Sequence, residues 1–311
     1  MSQLSEFRRQ ERLMGSAFEF IIIAGPLQGE KLLDECVEEV KRLERLLTEF
    51  STSSETSMIN QNAGGQPVQV SEEAFQLLKR SIDISKLTQG AFDISAGAIR
   101  KLYNFKGQEF EFPNDKKVRT ALRKVGFEKI ALRDHNFVRL QREGMHIGFG
   151  GIGKGYAADK VKSLLKAKGI ESAVINASGD LTAWGQRLDG SPWRVGIADP
   201  DQKDKMMLWI PVIDASVATS GDYEQYFERG GIRYSHTIDP RTGKPVKGIK
   251  SVTVISPSAE LCDSLATAVF IMGVEVGLHL IGQLPKTHAL IINDQNKVFT
   301  SKDLKVNLGA Q

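Results

Sequence analysis

Apolar and polar positions recur along this chain in stretches that can be read element by element. Residues 18–24, FEFIIIA, are β-branched and aromatic and predict a strand. From 31 to 50 the apolar positions run Leu32, Leu33, Cys36, Val37, Val40, Leu43, Leu46, Leu47 and Phe50, with charges between them. That is the period of a helix with one buried face. Polar residues dominate 51–62, which reads as an exposed loop. Ser71 stands where a cap belongs, ahead of a helix over 72–87, and the stretch 90–97 breaks that pattern.

Further along, 129–132 and 138–140 predict short strands, followed by a glycine-rich turn at 148–155. Residues 156–167 place Val161, Leu164 and Leu165 on one helical face. Strands are expected at 173–176, 193–197, 208–212, 252–255 and 289–292, and helices at 263–272, ending near Gly273, and at 275–281. Strands and helices mix without regular alternation. That favours an α+β fold, with mixed or antiparallel sheets and packed helices, over a doubly wound sheet. A single domain over 1–311 is expected, with room for a smaller helical and loop lobe around 70–130.

Composition narrows the function classes. A formal charge of +3 on 311 residues gives no sign of a nucleic-acid surface. Cys36 and Cys262 lack metal-ligand spacing, so two buried thiols are expected and neither a disulfide framework nor a zinc site. The opening MSQLSEFRRQERLMGSAFEF has no long apolar segment and no lipobox-like cysteine. No run approaches the ~18 apolar residues of a membrane span. A cytoplasmic protein is therefore expected, with export the alternative if a leader has been removed.

Four constellations could carry chemistry. GFGGIGKG, at 148–155, sits between a strand-like segment and a helix, where backbone N–H groups and Lys154 could meet phosphate. It nearly matches a Walker A loop, but Gly155 stands where that loop needs a hydroxyl on Mg²⁺, so any metal must be held from elsewhere. The plainer reading is a tight strand–helix turn. TSGDYEQYF at 219–227 leads to YSHTIDPRTGKPV at 234–246, where His236 lies among hydroxyl, acidic and basic groups and could transfer a proton. Arg241 could pair with phosphate or with Asp239. In LCDSLATAVFIMG, at 261–273, Asp263 and Thr267 share a helix face and together suit a hard cation. The competing reading makes Asp263 a helix-start residue that satisfies backbone N–H groups. TQGAFDIS at 88–95 and NASGDL at 176–181 place Asp93 and Asp180 beside small residues, in a ligand pocket or in turns.

The order of these pieces resembles the ApbE family of FAD:protein FMN transferases. The matching segments are FST…SETSMIN, TQGAFDIS, GFGGIGKGYAADK, NASGDLTAWG, PWRVGIADP, ATSGDYEQYF, YSHTIDPRTGKPV and CDSLATAVFIMG, spanning roughly 14 to 273. The resemblance implies a tunnelling-fold-like α+β core that binds FAD and Mg²⁺. It implies transfer of FMN to a Thr or Ser hydroxyl of an acceptor flavoprotein, with release of AMP. It assigns Mg²⁺ to Asp263, Thr267 and the Gly151 carbonyl. The FAD site would be lined by Met14, Ala91, Phe92, Asp93, Lys154 and the stretch around Thr237, with Asp180 in the same pocket. His236 or a nearby carboxylate would take the acceptor's proton.

Two departures from the family pattern stand out. Gly148 replaces a residue that is often acidic. The loop that usually carries a flavin-stacking Tyr is shortened to FSTSSETSMIN, with Ser53 near that place. Losing a stacking side chain removes roughly 1–3 kcal/mol if nothing replaces it. A Mg²⁺-dependent FAD pyrophosphatase, and a non-catalytic flavin-binding protein, are the alternative readings.

Overall fold

The computed structural model describes residues 4–105, 111–202, 205–222, 226–302 and 304. In chain order its elements are β1 (Ser5–Leu13), β2 (Ser16–Ala24), α1 (Gly29–Leu47), α2 (Glu55–Gln61), β3 (Val68–Gln69), α3 (Glu72–Leu87), α4 (Gly97–Arg100), α5 (Asp115–Leu122), β4 (Ile130–Arg133), β5 (Phe137–Leu140), α6 (Gly153–Ala167), β6 (Ala173–Ala177), β7 (Asp180–Trp184), β8 (Trp193–Ala198), β9 (Met206–Val212), β10 (Ala215–Gly221), β11 (Tyr226–Arg229), β12 (Ile232–Ser235), β13 (Ile249–Ser256), α7 (Ala259–Met272), α8 (Val274–Ile281), β14 (His288–Asn293) and β15 (Val298–Thr300). The fold is α+β, as expected. An eight-stranded sheet runs β1-β2-β6-β7-β10-β13-β14-β15 with neighbouring strands antiparallel.

Two of the hydrophobic clusters on this sheet pack it against helices. Phe18, Phe20 and Ile22 alternate inward from β2 and are fully buried against α1 and α6, through Leu33, Val40, Val161 and Leu165. Farther along, Val252 and Val254 of β13 meet Leu265, Val269 and Phe270 of α7. Both cysteines are buried and free, and burial pushes each thiol up to about 12, which keeps them unreactive. Among the described residues, no helix is long and apolar enough to cross a membrane.

The starts of α6 and α7 are clamped together, and this clamp builds the site. A Cβ at Gly155 would lie 2.1 Å from the Ala259 carbonyl oxygen, so only glycine lets the two backbones meet. Asp159 of α6 then caps α7. Its Oδ1 accepts from the Ala259 N–H at 3.0 Å, and its Oδ2 accepts from the Ser258 hydroxyl at 2.8 Å and the Glu260 N–H at 3.0 Å.

Ser71 caps α3 by accepting from the Ala74 N–H at 3.3 Å, as the sequence predicts. The stretch 51–62 is not the exposed loop expected from its polarity. It contains α2, capped by Ser54, whose buried face is Thr56, Ser57 and Ile59. Thr56 donates to the Leu47 carbonyl at 3.0 Å, so a hydroxyl fills the place of an apolar side chain. Helix α1 ends at Leu47, not at Phe50. Thr48 turns extended, and Phe50 is left 90% exposed.

Candidate active site

Three connected lobes form one cleft around the start of α6, and Gly150 lines all three. The smallest, about 210 Å³, is polar and holds Lys154, Asp180, Ser220, His236, Asp263 and Thr267. A lobe of about 250 Å³ lies under Ala91, Phe92 and Asp93 and shares His236, Thr237 and Thr267 with the first. The largest, about 480 Å³, is faced by Met14, Leu47, Phe50 and Phe149 and reaches Lys154. Every position that the resemblance assigns to the site lines this cleft: Met14, Ala91, Phe92, Asp93, Gly151, Lys154, Asp180, His236, Thr237, Asp263 and Thr267. Tyr223, Glu224 and Gln225 of the TSGDYEQYF motif lie outside the described residues.

Among the described residues, the polar lobe is short of positive charge. Lys154 contacts Asp180 directly and lies 3.8 Å from Asp263, and both carboxylates are buried. Burial raises Asp180 to about 7, with Asp263 adding repulsion and Lys154 opposing. Burial also raises Asp263, while Lys154 and the backbone N–H groups of residues 155 and 154 work the other way. The Gly155 N–H donates to Asp263 Oδ2 at 3.2 Å. This changes the picture of the glycine turn as a phosphate cradle. The anion seated at the start of α6 is the carboxylate of Asp263 itself. The N–H groups of Ile152 and Gly153 are also occupied, both bonding to the Phe149 carbonyl. Asp263 therefore satisfies backbone amides, as the plainer reading held, but those of a different helix.

Thr267, one turn beyond Asp263 on α7, faces the same lobe. A Cβ at Gly151 would lie 3.5 Å from its Oγ1, so the turn comes close to the hydroxyl. Ser220 Oγ stands 3.3 Å from Thr267 Oγ1. Among the described residues no group of three or more His, Cys, Asp or Glu could hold a metal, and a set of one carboxylate, one hydroxyl and one carbonyl needs none.

His236 follows β12, edge-on to Phe105 at 6.4 Å between ring centres. Thr237 is fixed through its backbone: its N–H donates to Ser235 Oγ at 3.1 Å and its carbonyl accepts from the Val246 N–H at 2.9 Å. Arg241 pairs with Asp239 at 2.9 and 3.0 Å, which settles its use in favour of the local turn. Asp93 uses both oxygens locally. It accepts from the Ser95 N–H at 2.8 Å, the Ser95 hydroxyl at 2.7 Å and the Phe127 N–H at 2.9 Å. Its carboxylate braces the 91–95 turn, of which Ala91, Phe92, Asp93 and Ile94 line the cleft.

Glu49, Arg100, Ser16 and Ser220 also line the cleft, and the sequence reading missed them. Arg100 Nη1 comes within 3.6 Å of where a Cβ at Gly150 would be. No local pattern marks Glu49 or Arg100. Ser220 sits inside a motif already noticed and was passed over beside the glycine and aspartate.

The chain matches the ApbE family over residues 14–291. It is 32% identical over 321 residues to the FAD:protein FMN transferase of Treponema pallidum, covering 96% of this chain and 88% of that protein. The Vibrio cholerae FAD:protein FMN transferase is 32% identical over 281 residues, covering 88% and 82%. The solved structure of the ApbE protein from Thermotoga maritima superposes with a TM-score of 0.86 at 29% identity, covering 96% of this chain and 97% of that one. The apo flavinyl transferase ApbE of Pseudomonas stutzeri also gives 0.86, at 27% identity, covering 97% and 96%. With the motifs, the fold and the match to residues 14–291 in agreement, this chain belongs to the ApbE family.

Proposed function

We propose that this protein is an FAD:protein FMN transferase that uses Mg²⁺ to move FMN from FAD onto a Thr or Ser hydroxyl of an acceptor flavoprotein, releasing AMP. The observation that carries this reading is the charge deficit at Lys154, Asp180 and Asp263, set between two larger lobes. Two buried carboxylates share one lysine, so a divalent cation relieves the repulsion between them. The larger, more apolar lobe suits the flavin, and the lobe under Ala91 and Phe92 suits the smaller adenine. The pyrophosphate then spans the polar lobe beside Lys154. The names of the relatives point the same way.

Asp263, Thr267 and the Gly151 carbonyl would hold Mg²⁺, a set of hard oxygen donors that fits it. When bound, the ion supplies Lewis-acid stabilisation of the phosphate oxygens. Lys154 holds a phosphate oxygen with a compact charge. A bond forms between the acceptor oxygen and the FMN phosphorus, and the bond from that phosphorus to AMP's phosphate oxygen breaks. The acceptor's proton passes to His236, which borders both the polar lobe and the lobe under Ala91.

Incubation with FAD and Mg²⁺, with and without a candidate acceptor, tests the reading by following AMP, free FMN and protein-bound flavin. Transfer predicts covalent flavin on the acceptor, with AMP in equal amount. Free FMN formed without acceptor would replace transfer by FAD pyrophosphatase activity. No AMP under any condition would leave flavin binding alone.

A further inference from the structure

Glu49 follows the end of α1 and lines both ring-sized lobes, but not the polar lobe. Its Oε2 is 2.5 Å from His146 Nε2, and His146 Nδ1 is 3.2 Å from Lys101 Nζ. Its other oxygen, Oε1, makes no hydrogen bond among the described residues. That oxygen points at Gly148, where a Cβ would come within 3.3 Å of it. The absence of a side chain at 148 therefore gives Glu49 its place. The hydrogen bond from His146 holds this carboxyl below the usual carboxylate range against the opposing effect of burial, so it is ionised at neutral pH.

An ionised carboxylate only accepts hydrogen bonds. Because it lines both lobes, it is placed to meet the parts of a dinucleotide that lie just beyond the phosphates. In FAD those parts are sugars, the adenosine ribose on one side and the ribityl chain on the other. Carboxylates recognise such hydroxyls by accepting from them. We propose that Glu49 binds the donor's sugar hydroxyls through Oε1 and, with His146 as its positioning residue, selects for an intact sugar. This rests on the assignment of the cleft to FAD.

The test compares FAD with two analogues, one built on 2′-deoxyadenosine and one lacking the ribityl 2′-hydroxyl, in the wild type and in Glu49→Gln. In the wild type, one analogue is expected to raise KM by about tenfold or more with kcat little changed, the weight of one hydrogen bond to a charged group. The analogue that responds identifies which sugar is held. In Glu49→Gln, FAD itself shows the raised KM and that analogue loses little more. His146→Gln keeps the carboxylate but loosens its hold, and is expected to raise the KM for FAD and weaken the discrimination by less than Glu49→Gln does; an unchanged discrimination there would overturn the positioning role. An unchanged KM for FAD in Glu49→Gln overturns the proposal. So does an analogue penalty that persists undiminished in that variant. A wild type that neither binds FAD nor forms AMP would instead fail the assignment of the cleft itself.

Discussion

Helix α6 carries two ionic clusters, and they are built on opposite principles. At its start, Lys154 serves both Asp180 and Asp263, whose side chains are 5% and 6% exposed. Within the next two turns, Tyr156 and Lys160 reach Glu73 at 2.8 and 3.1 Å, and Arg42 grips the same carboxylate at 2.6 and 3.1 Å. Among the described residues, the first cluster has one cation for two carboxylates. In the second, Glu73, whose side chain is 21% exposed, takes bonds from two cations and a phenol, with Arg42 also pairing with Glu39. Burial wins in the first and raises both acids. In the second, burial would raise Glu73, but hydrogen bonds from Arg42, Tyr156 and Lys160 outweigh it and bring the group to about 2. A cluster that costs folding energy persists where a ligand can repay it, and a cluster that contributes folding energy sits on the scaffold.

Asp263→Asn breaks the comparison hardest. It removes a charge from the undercompensated cluster while leaving an acceptor for the Gly155 N–H. Transfer should fall by roughly 10²–10³-fold, as when one group that stabilises transition-state charge is lost. Metal-free thermal stability should rise, because the remaining Asp180 keeps Lys154 to itself. Mg²⁺ at a hundredfold excess over its Kd should raise the wild-type Tm by about 5 °C and leave the variant nearly unmoved. Calorimetry with and without Mg²⁺, alongside the flavin assay, reads all three. A variant that transfers normally, or that is less stable than the wild type without metal, would undo the charge-deficit argument.

The scaffold was far more legible in the sequence than the pairing of these charges. The Ser71 cap placed α3, and periodicity placed α1 because its buried face is apolar. It failed at α2, whose buried Thr56 and Ser57 look like loop residues. It also passed over β1, an edge strand whose SEFRRQERL offers few apolar positions. In β7 all five residues are buried, so no alternation exists to be read. The i, i+4 spacing put Asp263 and Thr267 on one face. Nothing local said that this face meets a turn about a hundred residues earlier, as the bond from Gly155, 108 positions away, now shows. Only the joint order of the motifs carried that contact. Glu49 was invisible because its place depends on a missing side chain at Gly148.

Gly155→Ala attacks the same cluster through the backbone and should show the opposite sign of stability. The added Cβ meets the Ala259 carbonyl at 2.1 Å and prises α6 from α7. Overpacking of this kind costs about 1–3 kcal/mol. The Gly155 N–H also moves off Asp263, so transfer should fall together with Tm, whereas Asp263→Asn separates the two. A variant with wild-type Tm and wild-type transfer would show that the close approach of the helices does not set the geometry of the site.

Glu73→Gln gives the smallest effect and sharpens the contrast through pH. The folded-state value of Glu73 lies below its ordinary 4.5, so its contribution is present above that value and lost as pH falls toward 2. The partly exposed setting limits the contribution to about 1 kcal/mol at pH 7. The Tm gap between wild type and variant should therefore be open at pH 7, start to narrow below about pH 4.5 and close only toward pH 2, while flavin transfer at pH 7 stays near the wild-type rate. A gap of constant size across that range would mean that the side chain acts by packing and not by charge. Lost transfer at unchanged stability would move Glu73 from the scaffold into the site, and the two ends of α6 would no longer differ in kind.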